Sequence, residues 1–348
     1  VGEILFSFQK RINLKNMYKY FILIISLISL QSCGQNKKNM DVKATEILGN
    51  LYKNVKHNDQ RINYQAMIFI GGCNYEVLIN DYPVDRYFGP GDGSSSGSTP
   101  INIAILKPGI QKWKIKVYPV RDRKEVNGEV TLVPQNIIQP GARVEMEIEG
   151  VRFSENGDIE KRFGKVVKFE APLKKDDKSG QNMLSDAGKP YIEYSGTFQA
   201  DVPYTLSGWE NSTDLSKMNS TVLEKQLLKE YQKFHGWLQN GKLDEMANAK
   251  LTAEKEVAQA FFYDKKTNEN FLSTFLQRWG QKGLKMQPLE NYKVAIYGDG
   301  KIVTLIDNID GSSPLWGNYE VGENQFKNNT YMLYFHIPKG KTELEVIR

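Results

Sequence analysis

The chain has 348 residues, 46 basic and 41 acidic side chains, a formal net charge of +5 and two cysteines. That length suits about two domains of ~150 residues each, and two cysteines exclude a fold stapled by several disulfides. Beyond residue 32 no arginine and lysine cluster is interleaved with aromatic residues, which makes nucleic acid a poor partner.

Residues 20–30 are apolar apart from Ser26 and Ser29, with Lys15 and Lys19 just before them and Lys10 and Arg11 further back. A positive flank followed by a short apolar core is the layout of a secretory signal peptide. The apolar run is 11 residues long, whereas a helix that crosses a bilayer needs about 20. Met17 would give this segment a more compact start than Val1.

The run ends in Leu30-Gln31-Ser32-Cys33, which resembles the lipobox of bacterial lipoproteins. The resemblance implies cleavage after residue 32, with Cys33 as the lipid-bearing mature N-terminus. Several acyl chains on one residue hold a protein firmly at a membrane, because each buried methylene contributes about 0.8 kcal/mol. An ordinary cleaved signal with an incidental cysteine is the competing reading. In the family, an aspartate after the cysteine favours inner-membrane retention in enteric bacteria; here Gly34 follows. The stretch Gln35-Asn36-Lys37-Lys38 lacks the acidic run of the surface-export tag found in Bacteroidota. The expectation is therefore an outer-membrane anchor facing the periplasm. Loss of residues 1–32 removes four basic residues and one acid, leaving 42 and 40 and a net charge of +2.

Residues 33–60 read as a polar tether. Ile47, Leu48, Leu51, Tyr52 and Val55 have helical spacing, so a short helix is expected over residues 44–57. With Cys33 lipidated, Cys73 would lack an internal disulfide partner. It lies in an apolar stretch and reads as a small buried hydrophobe.

Over residues 61–205 the pattern has period two. Trp113, Ile115 and Val117 alternate with lysines, and Val144, Met146 and Ile148 alternate with Arg143, Glu145, Glu147 and Glu149. Ile101, Ile103 and Ile105 alternate too. Such strands bury one face, and the expectation is an antiparallel all-β sandwich domain. The stretch 75–84, followed by Leu106-Lys107-Pro108-Gly109 and a further strand, resembles small immunoglobulin-like envelope modules.

After a polar bridge over residues 208–219 the period becomes 3.6. Thr221 and Glu224 fit a capping box. Leu223, Leu227, Tyr231, Phe234 and Leu238 then line one helix face, which Asn240-Gly241 terminates. A second helix is expected over 243–262, with Leu251-Thr252 as its weakest point, and a third over 269–279. A hairpin of 292–297 and 301–306 follows, with further strands near 315–321, 330–337 and 342–347. Residues 215–348 thus read as an α+β domain whose helices cover a curved antiparallel sheet. That order of elements resembles the NTF2-like fold.

Chemistry-bearing motifs are sparse. Gly93-Ser94-Ser95-Ser96-Gly97 matches the nucleophile-elbow pattern in letters, yet such an elbow needs a strand leading into a helix. It reads instead as a polar loop. His57, His235 and His336 are scattered, without metal-ligand spacing. Asp307 to Gly311 lacks the ligand pattern of a calcium loop and reads as a hairpin turn. No cofactor or metal is implied. Tyr87 and Phe88 border the loop 89–100 and, with Asp92 inside it, form the candidate contact edge, because exposed aromatics bury large area at low entropic cost. Trp209 and Trp316 fall in turn-like settings.

The expected function is a membrane-anchored, non-enzymatic interaction lipoprotein of the bacterial cell envelope. Its partner would be an envelope or secreted protein, with glycan as a further class. Two alternatives stand beside it: an immunity-type lipoprotein that neutralises a periplasm-delivered toxin, and an NTF2-like enzyme without nameable catalytic residues.

Overall fold

The alternation around Trp113 and Val144 resolves into two antiparallel sheets in the computed structural model, which describes residues 43–90, 94–126, 129–154 and 156–348. The first sheet has the order β4 (Ser94–Pro100), β1 (Asn63–Gly71), β8 (Arg143–Phe153), β9 (Ile159–Glu170). The second has the order β12 (Ile192–Ala200), β5 (Gly109–Tyr118), β2 (Asn74–Ile79), β3 (Tyr82–Tyr87). Ala66, Ile68, Val144 and Met146 from one sheet share a buried cluster with Val77, Ile79, Trp113 and Ile115 from the other. Rings meet across the gap: Trp113 and Phe169 are 5.0 Å apart, Tyr64 and Phe198 6.0 Å. Two β hairpins flank this body, β6 (Arg121–Val126) with β7 (Glu129–Pro134) and β10 (Leu173–Lys175) with β11 (Asn182–Leu184).

Several stretches depart from the sequence reading. Ser94 to Pro100 is an edge strand and not a loop, paired with β1 in the register Ile70↔Ser95 and Gln65↔Pro100. Its serines satisfy the open backbone groups of β1, a pairing that needs no apolar alternation. The Ile101, Ile103, Ile105 alternation is not a strand: Asn102–Ala104 is a 3-10 turn. Asn102 lies in the polar phase of that pattern, yet it is fully buried. Its side chain accepts from Tyr64 N at 2.7 Å and donates to Ile62 O and Ala260 O, both at 3.0 Å. Trp209 is buried as well, stacked on Tyr82 at 5.3 Å, and so forms a joint instead of an exposed platform.

The C-terminal part contributes three helices among the described residues: α1 (Ser220–Gln239), α2 (Leu243–Ala260) and α3 (Lys265–Trp279). The buried face of α1 is Leu223, Leu227, Tyr231, Phe234 and Leu238, the stripe its periodicity predicts. Its cap is Asn219, whose Oδ1 accepts from Val222 N, and not Thr221. Asparagine is a stronger N-cap than threonine and starts the helix earlier. α2 runs unbroken past Leu251-Thr252, and its buried Lys250 and Glu254 pair at 3.0 Å. α3 begins four residues earlier than expected because Asp264 caps it, accepting from Thr267 N at 2.7 Å.

These helices pack on β14 (Tyr292–Tyr297), β15 (Ile302–Asp307), β18 (Phe335–His336) and β19 (Glu345–Val346). A separate sheet holds β13 (Lys285–Met286), β16 (Trp316–Gly322) and β17 (Gln325–Thr330). Between α1 and the sheet, Tyr231 fills the core, with its hydroxyl 2.9 Å from Thr304 Oγ1. Residues 43–54 dock onto this second core: Ala44, Leu48 and Leu51 are buried there, and Asn268 Nδ2 donates to Leu48 O. The fold is thus mostly β, with 39% strand and a helical C-terminal part.

Candidate functional site

The edge predicted at residues 87–92 begins where β3 ends. Asn80 and Asp81 connect β2 to β3 with φ of 50° and 59°, the left-handed pair that a two-residue hairpin requires. Pro83 is tolerated because β3 is an edge strand. This hairpin places Tyr87 as the last residue of β3, where its hydroxyl donates to Pro90 O at 3.1 Å and folds the ring over Gly89. Pro90 forms a parallel bridge with Arg121. Asp92 lies outside the described residues, as does Cys33.

Phe88 does not stand alone. Its ring packs at 5.3 Å from Tyr118, which packs at 5.4 Å from Tyr191. The Arg121 guanidinium lies 5.4 Å from the Phe88 ring centre, a cation–π arrangement. Phe88 and Tyr118 are half-buried and Tyr191 is 40% exposed, so the row presents aromatic surface to solvent. Gly311 sits against Phe88: its φ is +69°, and a Cβ there would lie 2.9 Å from a Phe88 ring carbon.

Polar groups hold the row in place. Tyr191 donates to Glu193 Oε2 at 2.6 Å, and Glu193 pairs with Lys114 at 3.3 Å. Tyr118 donates to Glu76 Oε2 at 3.4 Å. Burial, then the neighbouring carboxylates, push both phenols up, so they remain hydroxyl donors. The Glu193 carboxyl is held below its ordinary value, chiefly by the Tyr191 hydrogen bond. Burial lowers Arg121, while Asp310 and Asp307 oppose the shift. Asp307 also accepts from Ile309 N at 2.6 Å, which ties the turn that carries Gly311. That turn leads from β15 into the other sheet and is not a hairpin.

Beyond the Pro90–Arg121 bridge lies a recess of about 600 Å³, lined by Gly72, Val120, Arg123, Gln135 and Gln139 among others. The edge therefore combines residues from four separate stretches of chain. Sequence reasoning found Tyr87 and Phe88 but missed Tyr118, Tyr191 and Arg121. A Tyr at the end of an alternating strand was the available signal for Tyr118; nothing local marks the other two. As a binding face, the row can stack on an apolar or planar group while Arg121 and the recess supply polar contacts.

Elsewhere, Ser95 lies in β4, opposite Ile70, and His235 Nε2 lies 3.0 Å from Gln287 O. Ser212 Oγ lies 2.7 Å from His336 Nδ1. Among the described residues no helix is long and apolar enough to cross a membrane. Comparison with known proteins gives no matching family, no matching curated relative and no matching solved structure.

Proposed function

We propose that this chain is a membrane-anchored, non-enzymatic interaction lipoprotein of the bacterial envelope. It is held at the outer membrane by lipid on Cys33 and presents the Phe88, Tyr118, Tyr191 row to an envelope or secreted protein. The observation that carries the interaction reading is the partly exposed aromatic row backed by Arg121. Aromatic and arginine side chains are enriched at interface centres because they bury much area with few rotors. The anchor rests on Leu30-Gln31-Ser32-Cys33 behind its apolar run. The two facing antiparallel sheets support an immunoglobulin-like module, and helices followed by strands support an NTF2-like C-terminal part.

Two measurements test this reading. Cys33→Ser should move the protein from the outer-membrane to the soluble fraction; firm retention there removes the anchor. A photo-crosslinking residue at position 191 should give a discrete adduct in cells, while one at Ile110, which is 75% exposed, should not. Identical patterns at the two positions would reject the edge as the contact face.

A further inference from the structure

A second cleft, of about 880 Å³, opens where the end of the first sheet meets the start of α3. Its volume falls within the range of small-ligand sites, about 300–1,000 Å³. Two of its lining residues, Arg61 and Phe262, hold left-handed backbone with φ of 45° and 54°. Such conformations are disfavoured for side-chain-bearing residues and persist only where surroundings enforce them. Each is pinned. Arg61 N donates to Asn58 Oδ1 at 2.7 Å. Phe262 takes the position after the α2 C-cap, where glycine is usual, and its buried ring packs 5.9 Å from Tyr204. That left-handed turn redirects the chain from α2 into α3.

The charges of the described lining residues balance. Arg152 is engaged by Glu160 through two bonds, at 3.0 and 3.1 Å, and donates to Asp59 O. Asp264 is committed to capping α3. Arg61 makes no side-chain hydrogen bond or close ion pair with the described residues and acts on Asp264 only by longer-range attraction, so its donor fork is left for a ligand. Among the described lining residues, two cations and two carboxylates leave no net charge for a polyanion. The remaining polar lining is rich in carboxamides, with Asn63, Gln65, Asn156 and Asn270, beside the Phe153 and Phe261 rings.

We infer that this cleft binds a short neutral oligosaccharide. Carboxamides and a free guanidinium match the paired donors and acceptors of sugar hydroxyls, and the aromatic rings match the apolar faces of sugar rings. A peptide would most readily dock by adding a strand to an open sheet edge. At the cleft, β1 is paired with β8 throughout and with β4 from Gln65 onward, so Asn63 and Gln65 recognise a ligand through their side chains, and the peptide arm of the test covers strand addition at the β9 edge.

The test is calorimetric titration of the full chain with cellopentaose, chitotetraose, tetragalacturonate and a capped hexapeptide. Two variants probe the cleft. Arg61→Gly removes the guanidinium while relaxing the positive φ, so folding is not at risk. Asn270→Trp fills the mouth from an exposed helix position. Saturable binding of a neutral oligosaccharide is expected, weakened at least about tenfold in both variants and unchanged in Tyr191→Ala. The inference is overturned by absence of saturable binding of either neutral sugar up to about 10 mM. It is equally overturned by binding confined to the galacturonate or the peptide, or by affinity retained in either variant.

Discussion

Glu76 on β2 of the sandwich accepts a 2.6 Å hydrogen bond from the hydroxyl of Tyr297 on β14, 221 positions away in the chain. All six residues of β2 are buried. Tyr75, Val77 and Ile79 share cross-strand pairs with core residues of β5, so Glu76 falls on the opposite face, which the C-terminal part covers. Tyr82, Trp209 and Tyr334 pack in the same joint. A carboxylate is costly to bury without partners, and Tyr297 supplies the shortest bond Glu76 has.

Tyr297→Phe removes that hydroxyl and little else. A hydrogen bond to a charged group contributes about 1.5–3 kcal/mol, so urea unfolding should show a loss of about that size. Glu76→Gln in the same background should recover part of it, because a neutral amide is cheaper to leave underpaired. A loss under about 0.5 kcal/mol would mean that the bond does not hold the two parts together.

The buried amide of Asn102 makes a second prediction. It satisfies Tyr64 N, Ile62 O and Ala260 O, joining the start of β1 to the end of α2. Asn102→Ala leaves these groups without a partner, at about 1–3 kcal/mol for each one left unsatisfied. The expected total is about 3 kcal/mol, read as a lowered urea midpoint with an unchanged slope. Asn102→Asp should fare no better, since a carboxylate can accept from Tyr64 but cannot donate to the two carbonyls.

These residues show what periodicity conveys and what it does not. The stripe on α1 was legible because every apolar residue on that face is buried, so hydrophobicity and burial coincide. They part company at Asn102, a polar residue buried for its hydrogen bonds, and alternation there suggested a strand that the backbone does not form. β4 and β17 were hard to see for the opposite reason. Ser-Ser-Ser-Gly-Ser-Thr and Gln-Phe-Lys-Asn-Asn-Thr lie at sheet edges, where backbone pairing decides and side-chain pattern does not. At the aromatic edge, Phe88 was legible as an aromatic beside a Gly-rich stretch. Its neighbours Tyr118 and Tyr191 come from β5 and the approach to β12, and only the pairing of those strands brings them together.

His336 sets a pH dependence. It is 6% exposed, and burial lowers it from 6.5 to about 4, against the pull of Glu345 and Glu256 and with a further push from Arg348 and Lys341. The unfolded chain takes up this proton near pH 6.5, whereas the folded chain resists until about pH 4. Stability is therefore unaffected by this group above pH 6.5, falls as pH drops between those values, and levels off below them. At pH 5 the loss is on the order of 2 kcal/mol. Comparing urea unfolding at pH 7.5 and pH 5, wild type should lose more stability than His336→Gln by about that amount. Equal losses would show that the ring is readily protonated in the folded state.

Cys73 should be silent in the native protein. It is 2% exposed, and burial raises its thiol to about 12. Reactivity belongs to the thiolate, so at pH 8 both access and ionisation protect it. A colourimetric thiol reagent should label Cys73 in the Cys33→Ser background only as fast as the chain unfolds. Labelling should accelerate in urea in step with the loss of secondary structure. Rapid stoichiometric labelling without denaturant would place the thiol at the surface.

Gly311 offers the most direct test of the aromatic edge. Its φ of +69° costs an alanine about 1–2 kcal/mol, and the added methyl would lie 2.9 Å from the Phe88 ring, too close to remain. Two effects follow, and they separate. The backbone cost lowers stability wherever Phe88 goes. The clash moves Phe88 away from Tyr118 and Arg121, altering near-ultraviolet circular dichroism and any adduct captured from position 191. Phe88→Ala combined with Gly311→Ala removes the clash and keeps the backbone cost, so comparison with Phe88→Ala isolates that cost. If Gly311→Ala alone lowers stability but leaves the adduct unchanged, the position of Phe88 does not govern the contact. If the adduct is lost in Gly311→Ala and in Phe88→Ala at comparable protein levels, the Phe88 ring is part of the face that meets the partner.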